Sequence, residues 1–130
     1  RFYVSKNMLK NMGEIRVLGS ICYEMALVAT GILQYLIIGN PKIWDVAAGI
    51  VLINEAGGTV LVSNDNKTWE LLDDIGPSWE KHRPTNESFR KNIGSLIAGS
   101  PELAWFVASN IEVRLNLCAR IIKKVRRFFG

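Results

Sequence analysis

Residues 44–58 read WDVAAGIVLINEAGG. From Asp45 to Ala56 no proline interrupts the chain, and the stretch is long enough for a helix. Its residues are apolar nearly all round, which predicts a helix buried on most sides. Gly57-Gly58 ends it. Asp45 falls at the helix start, where the dipole favours a carboxylate and where oxygen can hold a hard cation. Taken alone, an aspartate in that place reads first as an ordinary helix cap.

Working outward, Thr59 to Ser63 follows as a strand, and Asn40-Pro41 stands before the helix as a turn. Gln34 to Ile38 is β-branched and aromatic, hence a strand. Ser20 opens a second helix to Thr30, with Ile21, Met25 and Val28 on one face and Gly31 as its stop. Glu14 to Leu18 alternates and predicts a short strand ending at Gly19. Residues 1–13 carry no clear period.

Downstream, residues 64–94 read as a long connection, rich in Asn, Asp, Lys, Pro and Gly, with Trp69 and Trp79 embedded. Ser95 to Ala98 is a last strand. Ser100 can cap and Pro101 can occupy the first turn of a helix predicted over 101–128, with a possible break at Asn110. The order of elements is an α/β pattern, a layered sheet with helices, in a single domain.

Composition fits. The 130 residues are 48% hydrophobic and 22% charged, with 16 Lys+Arg against 12 Asp+Glu for a net charge of +4. This excludes disordered, collagen-like and disulfide-scaffold classes. Cys22 and Cys118 are too few for a disulfide framework or a zinc site. Both are expected to be buried, reduced thiols in a cytoplasmic protein. The uncharged run between Glu24 and Lys42 contains Thr30, Gly31, Gln34, Asn40 and Pro41. It falls short of the roughly 20 mostly apolar residues that a spanning helix needs.

The Gly19-Ser20 turn leads from strand to helix, and backbone N–H groups at such a start can donate to oxygen-rich ligands. Alone it reads as a plain turn and cap. Together with residues 44–58 it resembles the inositol monophosphatase family of magnesium-dependent phosphatases. The family's Gly-Ser/Thr turn and helix stand here as GSICYEMALVATG, residues 19–31, and its Trp-Asp…Glu-Ala-Gly-Gly signature as residues 44–58. SLIAGSPELAWFVAS, residues 95–109, is similar to the family's closing strand and helix.

The resemblance implies that Asp45 binds a catalytic Mg2+ and contacts substrate, and that Gly19, Ser20 and Ile21 line the pocket for the substrate's alcohol moiety. Inositol-specific members grip a ring hydroxyl with a glutamate seven residues before the aspartate. Ile38 stands in that place, which implies a preference for another ester, and Glu24, Gln34 and Lys42 are the polar residues that could compensate. Glu55 is read as structural.

The family's Asp-Pro-x-Asp-Gly-Ser/Thr segment and upstream Glu-Glu pair are absent from these residues. One carboxylate builds no two-metal site. The chain therefore reads as the C-terminal half of such an enzyme, its metal-binding N-terminal half absent, inactive alone and acting on a small phosphorylated alcohol when complete. The candidates are an inositol phosphate, a sugar phosphate such as fructose 1,6-bisphosphate, or a phosphorylated nucleotide. A homodimer is what the resemblance implies. The alternative is a truncated, non-catalytic relative that acts as a binding module.

His82 lies among Glu80, Lys81, Arg83 and Pro84 with no nucleophile or orienting partner in sight, so it reads as a loop residue. Trp69 and Trp79 read as loop anchors. Arg120, Lys123, Lys124, Arg126 and Arg127 interleave with Ile121, Ile122, Val125 and two phenylalanines. This reads as a final helix with cations at its C-terminal end rather than a membrane-surface helix. No nucleic-acid-binding motif is present.

Overall fold

The computed structural model describes residues 2–65, 67–72 and 86–113. In chain order they form β1 (Phe2–Val4), α1 (Lys6–Asn11), α2 (Ile21–Ala29), β2 (Tyr35–Ile38), α3 (Ile43–Glu55), β3 (Thr59–Ser63), β4 (Glu70–Leu71), α4 (Asn86–Phe89), β5 (Ser95–Gly99), α5 (Pro101–Asn110) and β6 (Ile111–Val113). Four strands make one sheet in the order β2-β5-β3-β4, every pair antiparallel. Ile97 at its centre lies opposite Ile37 on one side and Leu61 on the other.

The period of two in these strands sorts their side chains between two cores. Ile38, Val60, Val62, Leu96 and Ala98 join Met25, Val46 and Ile50 of α2 and α3. Leu61 and Ile97 join Met8 of α1 and Ala104 and Val107 of α5, with Ile37 packed alongside. The result is three layers, α2/α3, sheet, α1/α5. It belongs to the α/β class that the order of elements predicts.

The helix ends follow from local chemistry. Gly31 stands at φ +76, and the N–H groups of Gly31 and Ile32 donate to Val28 and Leu27, closing α2 where the sequence predicts. Ser100 Oγ accepts the Leu103 N–H at 3.4 Å and Pro101 occupies the first turn of α5.

Four expectations are corrected. Glu14–Leu18 is not a strand: no described strand pairs with it, and Val17 is 85% exposed. Alternation gives a strand only where a neighbour takes up the backbone groups. The helix from Pro101 is not continuous to 128: it stops at Asn110, where the sequence allows a break, and residues 114–128 lie outside the described residues. The Asn110 carbonyl accepts the Ser5 N–H at 2.9 Å and its Oδ1 accepts the Ser5 hydroxyl at 2.7 Å, which turns the chain into β6 against β1. The helix from Ile43 is buried along one stripe only, Val46, Gly49, Ile50 and Ile53, while Trp44, Val51 and Leu52 are about half exposed. Cys22 is exposed, because Ile21, Met25 and Val28 take the inward face of α2.

Within the long connection, Trp69 packs as a loop anchor on the core of Met8, Leu61 and Val107, its buried indole N–H unpaired among the described residues. Trp79, His82, Cys118 and the basic segment 120–129 lie outside the described residues. No described helix is long and apolar enough to cross a membrane.

Candidate functional site

Met25, in the middle of α2, sits on Gly49, in the middle of α3, and the distal parts of both helices line one cleft of about 200 Å³ through Val28, Ala29, Ile53 and Ala56. The two helices therefore run in the same direction. Their first turns open at one end of the layer, bringing Ser20 and Ile21 to the same edge of the molecule as Trp44 and Asp45. Sequence spacing does not supply this juxtaposition; the glycine on α3 does, because no side chain intervenes between the helices.

Each predicted residue then has a definite setting. Asp45 is exposed in the first turn of α3, its N–H donating to the Lys42 carbonyl at 3.1 Å. It is not the cap of that helix; Lys42 holds the cap position and supplies no side-chain bond. Gly19 takes φ +82, a conformation that favours glycine. Ser20 caps α2 by position only, its hydroxyl making no bond to the first turn. It is exposed, while Ile21 is half-buried and packs against the core of Met25, Val46 and Ile50. Ile38 is 7% exposed and belongs to that same core. It lies at the end of β2 opposite Leu96 rather than facing solvent.

The structure gives Glu24 a task that the sequence does not reveal. Its Oε1 accepts the N–H groups of Leu18 at 2.6 Å and of Gly19 at 3.1 Å. Through that oxygen the carboxylate clamps the turn that presents Ser20. Gln34 is exposed beyond Gly31, and Glu55 is exposed at the end of α3 away from Asp45.

Lys42, the cap residue of α3, stands three positions before Asp45. Its Nζ lies 4.9 Å from the centre of the Trp44 ring, and Arg90 lies over the same ring at 6.0 Å. Arg90 arrives because the segment after α4 runs beside residues 41–43. The Ile93 N–H donates to Pro41 at 3.0 Å, the Ile43 N–H to Lys91 at 3.2 Å, and Lys42 bridges Asn92.

Among the described residues no group of three or more His, Cys, Asp or Glu side chains gathers to hold a metal ion. Magnesium keeps several waters and needs one or two carboxylates together with phosphate oxygens. The exposed carboxylate of Asp45 fits as one such ligand, not as a site of its own.

Comparison with known proteins gives the same direction. The model of the family described as "Inositol monophosphatase family" matches residues 2–101. A "Fructose-1,6-bisphosphatase/inositol-1-monophosphatase" of Thermotoga maritima is 36% identical over 55 residues, which are 42% of this chain and 22% of that protein. An "Inositol-1-monophosphatase" of Mesorhizobium japonicum is 35% identical over 68 residues, 52% of this chain and 25% of that protein. A "Nus factor SuhB" of Xylella fastidiosa is 42% identical over 72 residues, 54% of this chain and 25% of that protein. The matched stretch spans about a quarter of the length of these curated relatives. No solved structure shows significant similarity to the chain.

Proposed function

The chain belongs to the inositol monophosphatase family, and from that premise we propose that it forms the C-terminal half of a magnesium-dependent phosphomonoesterase acting on a small phosphorylated alcohol. The single observation that carries the reading is the shared edge at which α2 and α3 begin. Asp45 is exposed in the first turn of α3, and Ser20, at the cap position of α2, makes no side-chain bond to that helix.

The roles follow from that placement. Asp45 holds its carboxylate outward on a helix start fixed by the core residues Val46 and Ile50. A magnesium ion shared between Asp45 and carboxylates from the rest of the enzyme would polarise the phosphate and ready a water for attack. Ser20, presented by the Gly19 turn that Glu24 clamps, donates to or accepts from a hydroxyl of the substrate alcohol.

The test is steady-state hydrolysis of inositol, sugar and nucleotide phosphates by the full-length polypeptide with and without Mg2+. Magnesium-dependent turnover that falls by about 100-fold or more in Asp45→Asn supports the reading. Turnover unaffected by that substitution would overturn it.

A further inference from the structure

We propose that residues 115–129, together with the outer face of the α1/α5 layer, make a docking surface for an anionic lipid bilayer. The proposal goes beyond the phosphatase reading and does not depend on it.

Charge is divided unevenly along the chain. Residues 114–130 hold six of the 16 Lys+Arg and none of the 12 Asp+Glu, so residues 1–113 carry 10 cations against 12 acids. The whole positive excess sits in one short segment, on a body that is slightly acidic. Charge alone would suit any polyanion. The apolar residues narrow the choice. Leu115, Cys118, Ile122, Val125 and Phe129 recur at spacings of three and four, and the helical period puts Leu117, Ile121 and Phe128 on the same half of the wheel. Arg120, Lys123, Lys124, Arg126 and Arg127 take the other half. A nucleic acid would use the cations and leave the apolar half in water. A bilayer surface takes both, headgroups on one side and acyl chains on the other.

The described residues remove the competing account. Cations closing a helix that ran on from Pro101 would answer its dipole, but α5 stops at Asn110 and the chain continues as β6. β6 pairs with β1, and Ile111 and Val4 pack with α1 and α5, so the chain reaches Val113 on that side of the large sheet. The outer face there is apolar and basic. With Met8 of α1 and Ala104 and Val107 of α5 turned inward, Lys6, Leu9 and Lys10 of one helix and Trp105 and Phe106 of the other are exposed. Glu102 is the single acid of the two helices. Aromatic and leucine side chains mixed with lysine suit the headgroup boundary. Asp45 belongs to the α2/α3 layer on the opposite face of the sheet, so a bilayer held by α1 and α5 leaves it open to solvent.

The experiment uses the full-length polypeptide and co-sedimentation with two kinds of vesicle, phosphatidylcholine alone and phosphatidylcholine mixed with phosphatidylserine. The expected result is binding to the mixed vesicles only, weakened by salt and accompanied by a gain of helical circular dichroism. Lys123→Gln/Lys124→Gln/Arg126→Gln/Arg127→Gln should weaken it by about 100-fold or more. Ile122→Gln/Val125→Gln keeps every charge and should weaken it by about tenfold or more. Thermal melting of each free variant sets a temperature at which it is folded. The blue shift of tryptophan emission on binding should shrink in Trp105→Phe; an equal shift in that variant removes the α1/α5 face from the surface. No sedimentation with the mixed vesicles overturns the proposal. Sedimentation that the apolar variant leaves unweakened also overturns it, and binding of single-stranded RNA with the same dependence on charge would make the segment a polyanion site instead.

Discussion

Gly49 of α3 lies against Met25 of α2 so closely that a Cβ on the glycine would stand 2.5 Å from Met25 Sδ and 2.7 Å from Met25 Cβ. The sulfur could swing away, but the Cβ is fixed to the helix. This contact sets the spacing of the two helices whose first turns carry Ser20 and Asp45.

Gly49→Ala is therefore expected to destabilise. Alanine gains about 1 kcal/mol of helix propensity, while overpacking a close contact costs about 1–3 kcal/mol. Urea unfolding should show a net loss of about 1 kcal/mol. Unchanged stability would mean the helices slide apart freely.

At Ile38, the sequence comparison favours glutamate as the change that would admit an inositol ring. The structure predicts the opposite practical outcome. A carboxylate placed in the core with Met25, Val28, Val46 and Ile50 loses its water and finds no partner, at a cost of about 3 kcal/mol or more. Ile38→Glu should unfold at a clearly lower temperature by calorimetry before any gain on inositol 1-phosphate can be read. A variant as stable as wild type with improved inositol turnover would show that Ile38 faces the pocket.

Glu24→Ala should loosen the turn before α2. It removes a carboxylate that accepts two backbone N–H groups, those of Leu18 and Gly19. At a half-exposed site the expected loss is about 1 kcal/mol. Amide hydrogen exchange at Leu18 and Gly19 should accelerate, while that of the β5 amides stays nearly as it was.

Acid should act on Asp65. The backbone N–H groups of Thr68 and Lys67, with the Thr68 and Ser63 hydroxyls, hold its carboxyl down to about 2 from an ordinary 3.8. A depressed folded-state value means that the stabilisation is complete above the unfolded value and is lost as pH falls from about 4 towards 2. Carbon NMR titration should find the Asp65 carboxyl still ionised at pH 3, and Asp65→Asn should flatten the acid limb of stability over that window. A midpoint at the ordinary value would remove the argument.

Residues 1–130 alone should hydrolyse no phosphate ester at any Mg2+ concentration, since they bring one matched carboxylate. Magnesium-dependent turnover by this chain, abolished in Asp45→Asn, would show that it holds a complete site.

The parts of the molecule set by local chemistry were legible in the sequence. The helix from Ser20 to Gly31, the one from Ile43 to Glu55 and the strands at 35–38, 59–63 and 95–99 each carry their own period and stops. The parts that failed depend on distant partners. The end of α5 is decided by Ser5, 105 positions from Asn110. The alternation at 14–18 has no strand to meet. In the site, Ser20 and Asp45 stand inside recognisable signatures, but Arg90 reaches Trp44 only through the pairing of residues 41–43 with 91–93. No pattern around position 90 announces that contact.

The central place of β5 has a consequence for biosynthesis. Of the four strands in the large sheet, it is the last to leave the ribosome, and it fills the gap between β2 and β3. Until Ser95–Gly99 emerges, those two strands share no neighbour, and each core lacks Leu96, Ile97 or Ala98. A nascent chain halted before Ser95 already holds Ser20 and Asp45, yet the sheet under its helices lacks its central strand. Such a chain should be cut readily by protease, and resistance should appear in a single step once β5 and the first turn of α5 have cleared the exit tunnel.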